Sequence, residues 1–158
     1  MTGLTTGAAI SAGSARDLGD VMVAMTDAFD PRFGEAWTEA QCGGILGMPG
    51  SHLLVARDGD RPTGFAMLRT IADETELLLI AVRAGDQRRG IGRALLARVI
   101  DLARSQGARA LHLEVRDGNG AAWLYREAGF VQVGRRRQYY RGRDGESFDA
   151  LTFRLRLG

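Results

Sequence analysis

The feature that most restricts the fold lies near the middle of the chain. Residues 77–82 (Leu77, Leu78, Leu79, Ile80, Ala81, Val82) are apolar at every position. An extended segment of that kind can leave neither face in water, so a central strand buried on both faces is expected. The pattern then changes. Residues 83–92 are polar and glycine-bearing, and from Arg93 the spacing of Leu95, Leu96, Val99, Ile100 and Ala103 is helical, with Gly107 closing the helix. Next comes strict alternation over 110–116, with Leu111, Leu113 and Val115 on one face and His112, Glu114 and Arg116 on the other. A strand that runs through a glycine loop into a helix and is followed by another strand belongs to the α/β class.

The flanking segments extend the pattern. A short edge strand is expected at 8–12, followed by a helix that starts near Ser14 and carries Leu18, Val21, Met22, Met25 and Phe29. Asp30-Pro31 stops it. Thr38 and Gln41 have capping-box spacing, with Trp37 placed as a staple residue, so a second, short helix runs to about Gly47. Strands follow at 52–57 and 64–72, joined by a turn at Asp58-Gly59-Asp60. A helix is expected at 121–128 and the last two strands at 130–140 and 149–157. The order is β-α-α-β-β-β-α-β-α-β-β, with no repeat and no linker. This describes one domain over 8–158 with a mixed sheet of six to seven strands and about four helices, preceded by a flexible stretch at 1–7.

Composition excludes several chemistries. All 21 cations are arginine, so neither a lysine Schiff base nor a phosphate-loop lysine is available. One cysteine (Cys42) and two histidines (His52, His112), far apart, exclude an internal disulfide and a Cys/His zinc site, and no metal is expected. No apolar run approaches the ~20 residues of a membrane helix, and the first twenty residues have no secretion signal, so a cytoplasmic location is expected. Residues 1–82 carry five arginines and eleven acids, a net −6, whereas 83–158 carry sixteen arginines and eight acids, a net +8. A basic half suits an anionic partner, or is a solvated arginine-rich surface.

The loop Gln87-Arg88-Arg89-Gly90-Ile91-Gly92 shows what the anion would be. Two glycines let the backbone approach a bulky group. The first amides of the following helix have no partners within it, and with the helix dipole they suit phosphate. Arg88, Arg89 and Arg93 add charge. The G-x-G-x-x-G spacing of dinucleotide folds is absent, since position 95 is leucine. The loop therefore suits a pyrophosphate of another class of ligand, or else is a glycine turn that only caps a helix.

The segment Gln87-x-x-Gly90-x-Gly92, after Ile80-Ala81-Val82, resembles the acetyl-CoA signature of the GNAT superfamily of N-acetyltransferases. Further along, Leu113-Glu114-Val115-Arg116, Asn119, Leu124-Tyr125-x-x-x-Gly129-Phe130, Arg137-x-Tyr139-Tyr140, Asp144-Gly145 and Asp149-Ala150 occur in order. Together they resemble the RimI-like enzymes, which acetylate the N-terminal alanine of a ribosomal protein. The resemblance covers about residues 74–153. It implies the GNAT fold and acetyl-CoA as co-substrate. By the resemblance, the backbone of Ile80, Ala81 and Val82 pairs with the pantetheine arm, and Gln87 with the loop Arg88, Arg89, Gly90, Ile91, Gly92 and Arg93 cradles the pyrophosphate. It further implies that Asn119 contacts the cofactor, that Glu114 is the base for the substrate amine, and that Tyr125 is the proton donor to the leaving thiolate. Phe29, Trp37, Tyr139 and Tyr140 match the acceptor side. Strand alternation places the two tyrosines on opposite faces, so one of them is expected in the cleft.

Two departures stand out. Glu114 and Tyr125 are eleven residues apart, one fewer than the family's spacing, so the family's asparagine counted back from the tyrosine falls on Gly118. Extra residues also separate Ala28-Phe29 from Trp37-Thr38. Read from the residues alone, Glu114 is a strand carboxylate that His112 or Arg116 could pair with, and Tyr125 a core aromatic. The expected reaction is direct transfer of acetyl to a primary amine, foremost the α-amine of a protein N-terminus, by a monomer or homodimer with no nucleic-acid or membrane partner. The rivals are acetylation of a small amine (amino sugar, polyamine or antibiotic) and a CoA-binding module without catalysis.

Overall fold

Hydrophobic alternation in the strands and three-to-four spacing in the helices assemble one seven-stranded sheet with helices packed on both of its faces. The computed structural model describes residues 9–158, so the flexible stretch expected at 1–7, and Ala8, lie outside the described residues. In chain order the elements are β1 (Ala9–Gly13), α1 (Leu18–Ala28), α2 (Glu39–Leu46), β2 (Ser51–Asp58), β3 (Arg61–Ile71), β4 (Glu74–Val82), α3 (Ile91–Ser105), β5 (Ala110–Arg116), α4 (Ala122–Glu127), β6 (Val131–Arg141) and β7 (Ser147–Arg156). The expected order is the one observed. Ser14 caps a single 3-10 turn, and α1 proper begins after it, at Leu18. The capping box at α2 is present: the Gln41 amide donates to Thr38 Oγ1 at 3.1 Å and the Thr38 amide to Gln41 Oε1 at 2.7 Å.

The strand order is β1-β2-β3-β4-β5-β7-β6. Every pairing is antiparallel except β4 with β5, as the crossover through α3 requires. Two buried clusters hold the layers together. One packs α3 and α4 on the sheet through Leu95, Val99, Leu111, Leu113, Tyr125 and Phe153. The other packs α1 and α2 on the opposite face through Val21, Met25, Cys42, Phe65 and Met67. Cys42 is fully buried, and that burial pushes its thiol pKa up, so it packs as a small apolar group.

The apolar run does not behave as a strand buried throughout. Thr75, Leu77, Leu79 and Ala81 are buried, while Glu76, Leu78, Ile80 and Val82 are only half-buried. Two irregularities explain the difference. Met67 faces Leu79 and Leu68 faces Leu77, so Leu78 is the extra residue of a β-bulge. A bulge bends its strand and exchanges the faces beyond it. Accordingly Leu77 packs in the α3–α4 cluster, but Leu79 and Ala81 pack in the α1–α2 cluster. Moreover, β4 pairs with β5 only from Glu74–Ala110 to Leu77–Leu113. Beyond Leu77 the two strands part, and residues 76–80 of β4 border the gap.

Phe65, fully buried in the α1–α2 cluster, tests this two-core layout. Phe65→Ala is expected to cost about 3–5 kcal/mol, read as a lower urea midpoint with an unchanged slope.

Candidate active site between the parted strands

The gap between β4 and β5 brings the candidate residues together. A cavity of about 150 Å3 opens there, bordered by Glu76, Leu78 and Ile80 from β4 and by Leu113 and Glu114 from β5. Asn119, Ala121 and Tyr125 border it at α4, Phe29, Glu35 and Trp37 after α1, and Tyr139 and Tyr140 on β6. Leu111, Leu113 and Val115 face the α3–α4 cluster, so alternation turns Glu114 to the α1–α2 face. Tyr125 comes from the other face, on α4. A carboxylate and a phenol from opposite faces border one cavity because the sheet is open between them.

Glu114 is held by two groups. Its Oε2 accepts from Thr152 Oγ1 at 2.5 Å and its Oε1 lies 3.1 Å from Arg136 Nε. Its side chain is 9% exposed and that of Arg136 61%, so the pair reaches from the cavity to solvent. Neither expected partner holds it. His112 turns towards Glu74, at 3.6 Å, and Arg116 Nε donates to Glu35 Oε1 at 3.1 Å. The Tyr125 ring packs edge-on against Phe130, centroids 5.9 Å apart, and near Phe153 at 6.2 Å. The core-aromatic reading and the cleft reading therefore describe the same side chain. Burial, and after it the charge of Glu35, pushes the Tyr125 pKa well above the ordinary phenol value. The phenol is protonated at neutral pH and has a proton to give.

Both tyrosines of the 139–140 pair border the cavity, against the expectation that alternation admits one. Arg136 faces Ala150 and Tyr140 faces Phe148, so three residues of β6 lie opposite one of β7. Gln138 takes φ 52° within this bulge, and its amide donates to Asp149 Oδ1 at 3.0 Å. The bulge resets the alternation, and the two rings meet edge-to-face at 4.9 Å. Burial, then the charge of Glu35, pushes the Tyr140 pKa up.

The glycine loop follows β4 directly. Arg88 has φ 66° and Gly90 φ 79°, a left-handed turn that leads into α3. For a non-glycine residue that conformation is strained, and such strain concentrates at ligand-binding turns. The first bond closing α3 runs from the Ala94 amide to the Gly90 carbonyl at 3.0 Å, so the amides of Ile91, Gly92 and Arg93 have no helical acceptor. Those amides, with the β4 edge left bare beyond Leu77, fit a ligand carrying a pyrophosphate and an amide-bearing arm.

The loop side chains are largely occupied. Gln87 Nε2 donates to the Val82 carbonyl at 3.2 Å and fastens the loop to its strand. Arg89 reaches Asp86 at 2.6 Å, and Arg93 pairs with Glu127. Asp86, only 2% exposed, also takes a two-pronged bond from Arg61, at 2.6 and 2.9 Å. The Asp86 carboxylate thus ties the loop to the β2–β3 hairpin.

Three residues of the site escaped sequence reading. Thr152 is the cross-strand neighbour of Glu114 and Arg136 reaches it from one strand further, visible only once β5, β7 and β6 are placed side by side. Glu35 lies among the extra residues between Phe29 and Trp37, and the signal for it was that insertion itself. Among the described residues no cluster of three His, Cys, Asp or Glu side chains is placed for a metal ion, and no helix is long and apolar enough to cross a membrane.

Comparison with known proteins decides the family: residues 21–130 match the acetyltransferase (GNAT) family. The chain belongs to that family. It is 40% identical over 129 residues to N-alpha-acetyltransferase RimI of Mycobacterium tuberculosis, covering 78% of each chain. It is 39% identical over 120 residues to the [ribosomal protein bS18]-alanine N-acetyltransferase of Salmonella typhimurium, covering 75% of this chain and 80% of that one. The crystal structure of the Escherichia coli ribosomal-protein-S18-alanine N-acetyltransferase superposes with a TM-score of 0.84 at 32% identity, over 96% of this chain and 94% of that one. This GNAT protein is accordingly an acetyl-CoA-dependent N-acetyltransferase of RimI type.

The loop anchor predicts a pH-dependent effect. Arg61 first, then Arg89, hold the Asp86 carboxyl below its ordinary pKa of 3.8 against the opposing effect of burial. The unfolded chain therefore takes up this proton before the folded one as pH falls. Asp86→Asn is expected to cost on the order of 2 kcal/mol at pH 7, less than a fully buried pair because Arg61 is half-exposed. The difference in urea midpoint between wild type and variant should be full at pH 7 and shrink below about pH 4. A difference independent of pH would contradict the assignment.

Proposed function

We propose that this N-acetyltransferase modifies the α-amine of a protein N-terminus, with an N-terminal alanine of a ribosomal protein as the foremost acceptor, in the cytoplasm. The observation that carries the reading is the cavity between the parted strands, with Glu114 and Tyr125 reaching it from opposite faces of the sheet. The curated relatives named for N-alpha and bS18-alanine acetylation point to the acceptor. Phe29, Trp37, Tyr139 and Tyr140 form an aromatic wall suited to the first residues of a peptide.

In this reading Ile80, Ala81 and Val82 offer backbone groups to the pantetheine arm, and Gln87 to Arg93 form the pyrophosphate cradle. An α-amine has a pKa of about 8 and is mostly protonated at neutral pH. Glu114, oriented by Thr152 and Arg136, accepts its proton directly or through one water. The freed amine attacks the thioester carbonyl. The carbon–nitrogen bond forms, the carbon–sulfur bond breaks, Tyr125 gives its phenolic proton to the departing thiolate, and the proton that the nitrogen sheds on becoming an amide restores the phenol. No covalent enzyme intermediate is needed, and Cys42 is buried away from the cavity.

Thiol release from acetyl-CoA is the test, with peptides that differ at the first residue set against a panel of amino sugars and polyamines. The alanine-starting peptide should be turned over with the highest kcat/KM. Tyr125→Phe and Glu114→Gln should each lower kcat by roughly 100-fold or more, with acetyl-CoA affinity by calorimetry intact. Equal turnover of every amine would overturn the acceptor assignment, and unchanged kcat in both variants would overturn the catalytic one.

A further inference from the structure

The segment between α1 and α2 contains the residues that set this chain apart, and it is pinned along its length. The Arg143 amide donates to the Pro31 carbonyl at 3.0 Å. At Gly34, φ 69°, a Cβ would sit 2.0 Å from the Arg141 carbonyl oxygen, so only glycine admits the approach to the β6–β7 hairpin. Phe33 stacks under the Arg116 guanidinium at 3.7 Å. Glu35 is the last anchor. Its side chain is 9% exposed, its Oε1 takes Arg116 Nε at 3.1 Å, and its Oε2 takes Asn119 Nδ2 at 2.9 Å.

Asn119 is held by this arrangement on one side and by α4 on the other, since its Oδ1 accepts the Ala121 amide at 2.9 Å. The amide that the family resemblance directs at the cofactor instead joins the acceptor-side segment to the start of the helix that carries Tyr125. The two departures noted in the sequence thereby meet: the shortened connection after β5 places Asn119 opposite the inserted Glu35.

We propose that Glu35 is a positioning residue of the acceptor site and that Asn119 serves it rather than acetyl-CoA. The Glu35–Asn119 bond sets the distance of Phe29 and Trp37, at the two ends of the segment, from Tyr125. The inference rests on the reading that the acceptor enters across this segment. Loss of the bond lets the aromatic wall drift from the phenol and weakens acceptor binding, leaving the glycine loop, which belongs to another part of the chain, as it was.

The test is a set of four proteins: wild type, Glu35→Gln, Asn119→Asp and the double variant. Asn119→Asp keeps an oxygen for the Ala121 amide but faces Glu35 with a second carboxylate. In the double variant, the introduced glutamine donates its side-chain amide to the new carboxylate while its oxygen still receives Arg116, so the bond is restored with donor and acceptor exchanged. Each single variant should raise KM for the alanine-starting peptide about tenfold, with kcat within about threefold, and the double variant should return KM to within about threefold of wild type. Acetyl-CoA affinity by calorimetry should stay within about twofold throughout.

Asn119→Asp weakening acetyl-CoA binding more than about fivefold while Glu35→Gln leaves it intact would overturn the proposal, as would a double variant no better than the singles. Should Asn119→Asp fail to fold, Asn119→Ser, which keeps an oxygen for the α4 cap and lacks the amide donor, gives the same reading. A wild type that binds acetyl-CoA but acetylates a small amine in place of the peptide removes the protein-N-terminus reading alone; the coupling is then read on KM for that amine.

Discussion

The structure depends on the parting of β4 from β5. Four residue pairs join the strands, and beyond Leu77 they separate. A continuous sheet would keep Glu114 and Tyr125 on opposite sides of a hydrogen-bonded wall. With the wall open, both border one cavity, and the β4 edge offers its backbone to a ligand. The bulge at Leu78 accompanies the separation and exchanges the faces of the strand, which is why a run of six apolar residues divides between two cores and a cleft.

Around the opening, charge is organised by pairs rather than by the net values of the two halves. Most loop arginines expected to meet phosphate are engaged: Arg89 by Asp86, and Arg93 by Glu127. The groups this loop leaves open to an anion are then chiefly oriented backbone amides, and the Asp86 carboxylate fastens the loop that carries them. On the acceptor side, Glu35 and Glu114 place negative charge beside two tyrosines whose pKa values are raised chiefly by burial. A phenol that keeps its proton and a carboxylate that can take one are the complementary requirements of amide formation from an amine and a thioester.

Much of this was legible beforehand, for identifiable reasons. The glycine loop at 87–92 and the alternation at 110–116 are local patterns, and so is the Thr38–Gln41 capping box. Each appeared where expected because the interactions behind it span only a few residues. The expectation that only one of Tyr139 and Tyr140 reaches the cleft did not survive, because the bulge at Gln138 depends on how β6 registers against β7 and no glycine or proline marks it. The partners of Glu114 were also misjudged. His112 and Arg116 are its neighbours along the strand, but the carboxylate is served across the sheet, by Thr152 on the adjacent β7 and by Arg136 reaching over from β6.

By itself, the amino-acid sequence determined the order of the eleven elements, the class of the fold, the glycine-bearing loop that opens a helix, and the identity of a carboxylate and a phenol worth testing. Those features follow from periodicity, capping and glycine content, which act over short stretches of chain. Only the tertiary structure decided that the phenol and the carboxylate share a cavity, that both tyrosines join them, and that Glu35 holds Asn119. Each of these depends on where two strands part or how two strands slip in register, and such long-range choices are made by packing across the whole sheet.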